Sequence, residues 1–207
     1  DDQAAIQQLE QSLNQSKDEA LRLKITDALI QAKHPKANLA VFKLLKDKQH
    51  AEVRETAFAA LQARAHLAID PLQHVIDALA TGDLALGRLA LNALVLIAQQ
   101  PQAPQHKRAE QLLIHALQQH PQDEVQVLAL HLLEGCYPAD QPKASLLALA
   151  SANVFTQRAG LIRLYQRDLL TLPTVKPQVL RLQQHADHRL RHTAFWVAVL
   201  GQPRLAE

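Results

Sequence analysis

Apolar positions recur along this chain with a helical period, and the pattern itself recurs. The stretch "VRETAFAAL", residues 53–61, aligns with "LRLKITDAL", "LGRLALNAL", "VQVLALHLL", "TQRAGLIRL" and "LRHTAFWVA". The leading position falls at Leu21, Val53, Leu86, Val125, Thr156 and Leu190, in steps of 32, 33, 39, 31 and 34 residues. Apolar or small residues follow about four and eight positions later, which puts them on one helical face. Six template helices are predicted, with Val53, Val125 and Leu190 among the core positions.

Asp18, Asp83, Asn153 and Asp187 each stand three residues before a leading position. There a short polar side chain can accept hydrogen bonds from the unpaired amides of a helix start. The second and fourth copies open more loosely, at "QHAEV" and "HPQDEV". Between the template helices lies a second class, often opened by proline: "HPKANLAVFKLL", "DPLQHVIDALA" and "QPKASLLALA". Proline at a first helical position loses no useful hydrogen bond. "QAAIQQLEQSL", "HKRAEQLLIHALQQ" and "KPQVLRLQQ" complete the class. The 39-residue step contains "QQPQAPQ", residues 99–105, whose two prolines and four glutamines predict an enlarged connection.

About six helix pairs of roughly 34 residues result, a period typical of helical repeat arrays. A pair this short cannot bury its apolar face alone, but stacked pairs share one core. The predicted fold is all-α, an α-α superhelix or α-solenoid, formed as one domain over residues 1–207 with a looser connection at 99–105. Composition agrees: aromatics are 3% of the chain, and it contains only 5 glycines.

"HAEVRETAFAAL", "HPQDEVQVLALHLL" and "DHRLRHTAFWVAVL" resemble the HEAT family, in particular the short bacterial HEAT-like repeats also found in phycobilisome lyases. The resemblance lies in an acidic or proline turn, a Val-Arg pair, and Ala and Leu packing positions. It implies that the Arg of each pair links neighbouring repeats through hydrogen bonds to turn groups. Arg22, Arg54 and Arg191 match that position, whereas Gly87, Gln126 and Gln157 depart from it. A regular arginine ladder through the middle is therefore not expected. The tetratricopeptide repeat shares the period, but its Trp, Gly and Tyr signature is missing.

Charge changes the picture at one end only. The net charge is +2, yet residues 151–207 carry 8 basic and 3 acidic side chains. The resemblance implies a concave surface lined by the second helix of each pair, making Arg158, Arg163, Arg167, Arg189 and His192 the candidate binding residues. An acidic peptide or a phosphate-bearing ligand suits them. The last template helix also carries Phe195, Trp196, Val199 and Leu200 on more than one side. Either the tail "QPRLAE" or another protein is expected to cover them, and Trp196 joins the candidates. Self-association through this helix is a further expectation.

Catalytic chemistry finds little support. Cys136 is alone, so no intrachain disulfide forms. His188 and His192 offer two ligands of a metal site, but two do not hold a metal unaided. Asp187 reads as a cap that separates His185 from them. HEAT-like hydroxylases hold iron through adjacent His-Glu pairs, and no such pair occurs. No Gly-rich phosphate loop or nucleophile turn is present. We expect no catalytic residue, cofactor or metal, and a non-enzymatic scaffold or adaptor that binds another protein. The alternative is a nucleic-acid-binding array, like the HEAT-like DNA glycosylases, using the basic C-terminal third.

No apolar run is long enough to span a bilayer. Met is absent and the chain opens on Asp1, so we read it as a processed mature chain or an excised fragment. Cytoplasm and periplasm are both compatible with that start.

Overall fold

The computed structural model describes residues 2–32, 34–47, 49–64, 70 and 72–201. Among them are twelve α-helices and no strand. The interleaved class comprises α1 (Asp2–Gln15), α3 (Pro35–Leu44), α5 (Gln73–Ala80), α7 (His106–Gln119), α9 (Lys143–Leu149) and α11 (Lys176–Leu182). The template class comprises α2 (Glu19–Gln31), α4 (Ala51–Ala63), α6 (Leu84–Ala98), α8 (Asp123–Cys136), α10 (Val154–Gln166) and α12 (His188–Leu200).

The caps follow the reading of the sequence. Asp18 accepts from the Leu21 amide at 3.1 Å, Asp83 from Leu86 at 2.9 Å, Asn153 from Phe155 at 2.8 Å and Asp187 from Leu190 at 3.0 Å. The looser starts are loose in fact: His50 and Gln122 precede α4 and α8 without a side-chain cap. Pro35 and Pro177 occupy first-turn positions of α3 and α11, and Pro142 stands just before α9. Pro71 and the tail "QPRLAE" lie outside the described residues.

The chain divides into two compact units, residues 1–93 and 94–207. In the first, α2 packs on α1, α3 and α4, and α4 packs on α3 and α5. In the second, α8 packs on α7, α9 and α10, while α10 and α11 both pack on α12. Successive template helices thus pack on one another within a unit: α2 on α4 in the first, and α8 on α10 and α10 on α12 in the second. Residues 99–105 run as turns between α6 and α7, tied by Ala103 N–H to Gln100 C=O and His106 N–H to Ala103 C=O.

Val53, Leu86, Val125, Thr156 and Leu190 are all fully buried. Four residues on from each of these, Ala57, Ala90, Ala129, Gly160 and Ala194 are buried and small, which lets helices approach closely. Leu21 breaks the expected pattern, being 47% exposed. Among the described residues no earlier template helix lies against α2, and its buried stripe begins one turn later, at Ile25, Thr26 and Leu29.

The connection after α10 turns back into the core. Asp168 adopts a left-handed φ of 55°, and the Leu169 amide reaches the Leu164 carbonyl at 2.9 Å. With Asp168 N–H bonded to Tyr165 C=O at 3.1 Å, this is a Schellman ending, with aspartate where glycine is usual. Its apolar clasp is the buried pair Leu164 and Leu169, continuous with Leu182, Leu190 and Val197. That core fixes α12 in place.

Candidate functional site

In Arg22, Arg54 and Gln126 the position after the leading residue reaches two ways. Arg22 donates to the Ser16 carbonyl at 3.0 Å and pairs with Asp47. Arg54 donates to the Asp47 carbonyl at 2.8 Å and to Asp83 at 2.6 Å. One arm holds a preceding turn and the other grips the aspartate before a later helix. Gln126 and Gln157, which lack the charge, keep the backward arm: Gln126 donates to the His120 carbonyl at 2.6 Å and Gln157 to the Ser151 carbonyl at 2.8 Å. Gln126 also accepts from Thr156 Oγ1 at 2.6 Å and Ser151 Oγ at 3.3 Å. An amide therefore does both jobs without a buried charge. Arg191 donates to the His185 and Ala186 carbonyls at 2.6 and 3.2 Å.

The candidate binding arginines separate into two groups. Arg163 and Arg167 turn inward to Glu134, whose carboxylate is buried: Arg163 pairs with it at 2.6 Å and Arg167 at 3.5 Å. Ser145 donates to the same carboxylate at 3.3 Å, and Arg167 also holds the Ala139 carbonyl at 2.6 Å. These two arginines tie α10 to the end of α8. Glu134 was not singled out from the sequence; the signal available was a carboxylate 29 and 33 residues before two arginines, about one repeat.

Arg158, Arg189 and His192 gather elsewhere, with Arg191, around an open hollow of about 980 Å³ that Phe195 also lines. Arg158 Nε donates to Thr193 Oγ1 at 3.1 Å, and Thr193 donates to the Arg189 carbonyl at 2.8 Å. Among the described residues no carboxylate forms an ion pair with Arg158, Arg189 or Arg191. Asp187 lies near; its Oδ1 accepts from the Leu190 and Arg189 amides, which together with the charges of His188 and Arg189 hold its carboxyl below the usual range.

Beside the hollow is an apolar patch. Leu190, Ala194 and Val197 face the core, leaving Phe195, Trp196, Val199 and Leu200 between 45% and 56% exposed on α12. The Trp196 indole N–H donates to His192 Nε2 at 2.7 Å, and Phe195 meets Trp196 edge-on at 6.3 Å. The indole is thus oriented on its helix while its ring stays open.

Other polar clusters are closed on themselves. Tyr137 and Lys143 both donate to Glu110, which they hold below its ordinary pKa, while burial and that bond raise the Tyr137 phenol to about 12. Burial raises the Cys136 thiol, which donates to the Leu132 carbonyl. His185 accepts from the Asp187 amide in the turn before α12, apart from His188 and His192 on the helix. No group of three His, Cys, Asp or Glu able to hold a metal occurs among the described residues. None of their helices is long and apolar enough to cross a membrane.

Comparison with protein-family models, with curated proteins and with solved structures finds no match.

Proposed function

We propose that this chain is a non-enzymatic scaffold, a HEAT-like α-solenoid that docks another protein on its C-terminal helices. The observation that carries the reading is the outer face of α12, where four large apolar side chains stand exposed beside arginines that form no ion pair among the described residues. Exposed apolar patches of this kind are characteristic of interaction sites. The packing of successive template helices within each unit, and the recurrent two-armed side chains, support the solenoid and the HEAT-like reading.

The same arginines favour a second reading, nucleic-acid binding through phosphates. A nuclease-treated extract passed over the immobilised chain, followed by reconstitution with the purified captured protein, tests the first. One protein is expected to bind in fixed ratio and to be lost with Phe195→Ser and Trp196→Ser. Titration with duplex and single-stranded DNA at two salt concentrations tests the second, because phosphate-driven affinity falls steeply with salt. Salt-sensitive DNA binding with no reconstituted protein complex overturns the scaffold reading.

A further inference from the structure

Arg22 and Arg54 both complete their forward arm on an aspartate, Asp47 and Asp83, and Gln126 completes its own on Thr156. Among the described residues Arg191 makes only the backward arm. Its guanidinium is held by two carbonyls with donors left over, on a helix whose exposed face carries Phe195 and Val199. Arg158 is likewise held through Thr193, and Arg189 is exposed beside it. From Lys143 to Gly201 the sequence has eight Lys or Arg and two acidic residues, Asp168 and Asp187; α10, α11 and α12 contain no acidic residue.

We propose that this face binds an acidic segment of a partner protein. One partner carboxylate completes the Arg191 arm, others pair with Arg158 and Arg189, and apolar partner side chains cover Phe195 and Val199. The inference rests on the docking reading above and adds the chemistry of the partner. The Arg158 and Arg191 guanidinium groups, fixed in advance, lose little freedom on pairing and match carboxylates in geometry. Positive potential around the apolar patch steers an acidic segment and rejects a basic one. A second copy fits poorly, because packing this face on itself brings two sets of cations together with only the amide-bound Asp187 of each copy near them. Nucleic acid supplies anions but no aliphatic complement to Val199 and Leu200.

Trp196 is the only tryptophan, so its fluorescence reports on this face directly. The full chain is titrated with a short synthetic peptide of Asp, Glu, Leu and Phe, with its Asn/Gln counterpart, and with single-stranded DNA. The acidic peptide is expected to saturate the Trp196 signal about tenfold more tightly than the amide peptide. Arg191→Gln, and separately Arg189→Gln, each weaken it roughly two- to fivefold. No hydrogen bond or ion pair among the described residues holds the Arg189 side chain, so that variant keeps the fold, and an unchanged far-ultraviolet circular dichroism spectrum verifies it. Equal affinity for the two peptides overturns the proposed charge while leaving protein docking intact. Tighter binding of DNA than of the acidic peptide overturns both. A Trp196 change that follows protein concentration alone, with doubled mass, assigns the face to a second copy and also overturns the proposal, as does an acidic peptide that produces no saturable change.

Discussion

Gln126→Leu is the most direct probe of how the helix pairs of the second unit are joined. Leucine nearly conserves volume, so the perturbation is polar rather than steric. It removes three hydrogen bonds: from Gln126 to the His120 carbonyl, and from Thr156 and Ser151 to Gln126. The side chains involved are 5%, 0% and 2% exposed for Gln126, Thr156 and Ser151, so water does not replace the lost partners. Ser151 Oγ still accepts from the Asn153 amide, which limits its loss. Thr156 Oγ1 has no such second bond among the described residues. At roughly 1 kcal/mol for Ser151 and 1–2 kcal/mol for each of the other two groups, the cost is about 3–5 kcal/mol. Thr156→Val alone costs about 1 kcal/mol, because Gln126 keeps Ser151. Added to Gln126→Leu it recovers about 1 kcal/mol by removing the stranded hydroxyl, so the two changes are strongly non-additive. Urea unfolding followed by Trp196 fluorescence, in the same unit, and by circular dichroism measures all four species. A Gln126→Leu protein within about 0.5 kcal/mol of the parent, or strictly additive changes, would refute the reasoning.

Gly160→Ala is expected to destabilise by about 1 kcal/mol or more despite the better helix propensity of alanine, because its Cβ would stand 2.9 Å from Ala148 Cβ and 3.0 Å from the Ser145 carbonyl oxygen. A rise in thermal midpoint would contradict that close approach. Asp168→Gly should stabilise by about 0.5–1 kcal/mol by relieving the left-handed backbone, read from the urea midpoint. Burial pushes the His74 and His120 imidazoles below their ordinary 6.5, so the unfolded chain takes up protons that the folded chain refuses. Stability is then full above pH 6.5 and is lost as the pH falls from there towards the folded values; unfolding midpoints that rise on acidification through this window would be inconsistent. Glu110, held low by Tyr137 and Lys143, adds a contribution present above 4.5 and lost as pH falls through its folded value, and Tyr137→Phe should shrink it. Iodide should quench Trp196 roughly twofold more effectively than caesium at low salt, with the difference fading as salt rises. Equal quenching would deny the positive surroundings, and no quenching would deny the exposed ring.

Helix placement was legible because its causes are local. Asp18, Asp83, Asn153 and Asp187 cap amides two or three residues away, and the buried stripes of α4, α8 and α12 follow spacings within one helix. The apolar face of α12 was legible for the same reason, since Leu190, Ala194 and Val197 already fill its one inward stripe.

What only the tertiary structure decided depends on register between helices far apart in sequence. Arg163 and Arg167 read like exposed candidates until α10 lies beside α8 and places them on Glu134, whereas Arg158 remains on the hollow. Gln126 departs from arginine in the repeat pattern, yet its partners stand 25 and 30 residues on, where an amide serves as well as a charge. Leu21 matches the core pattern yet stands exposed, because among the described residues no earlier template helix packs on it. Periodicity within a helix specifies which side chains share a face; whether that face meets a carboxylate, a helix or water is set by the neighbour that packs there.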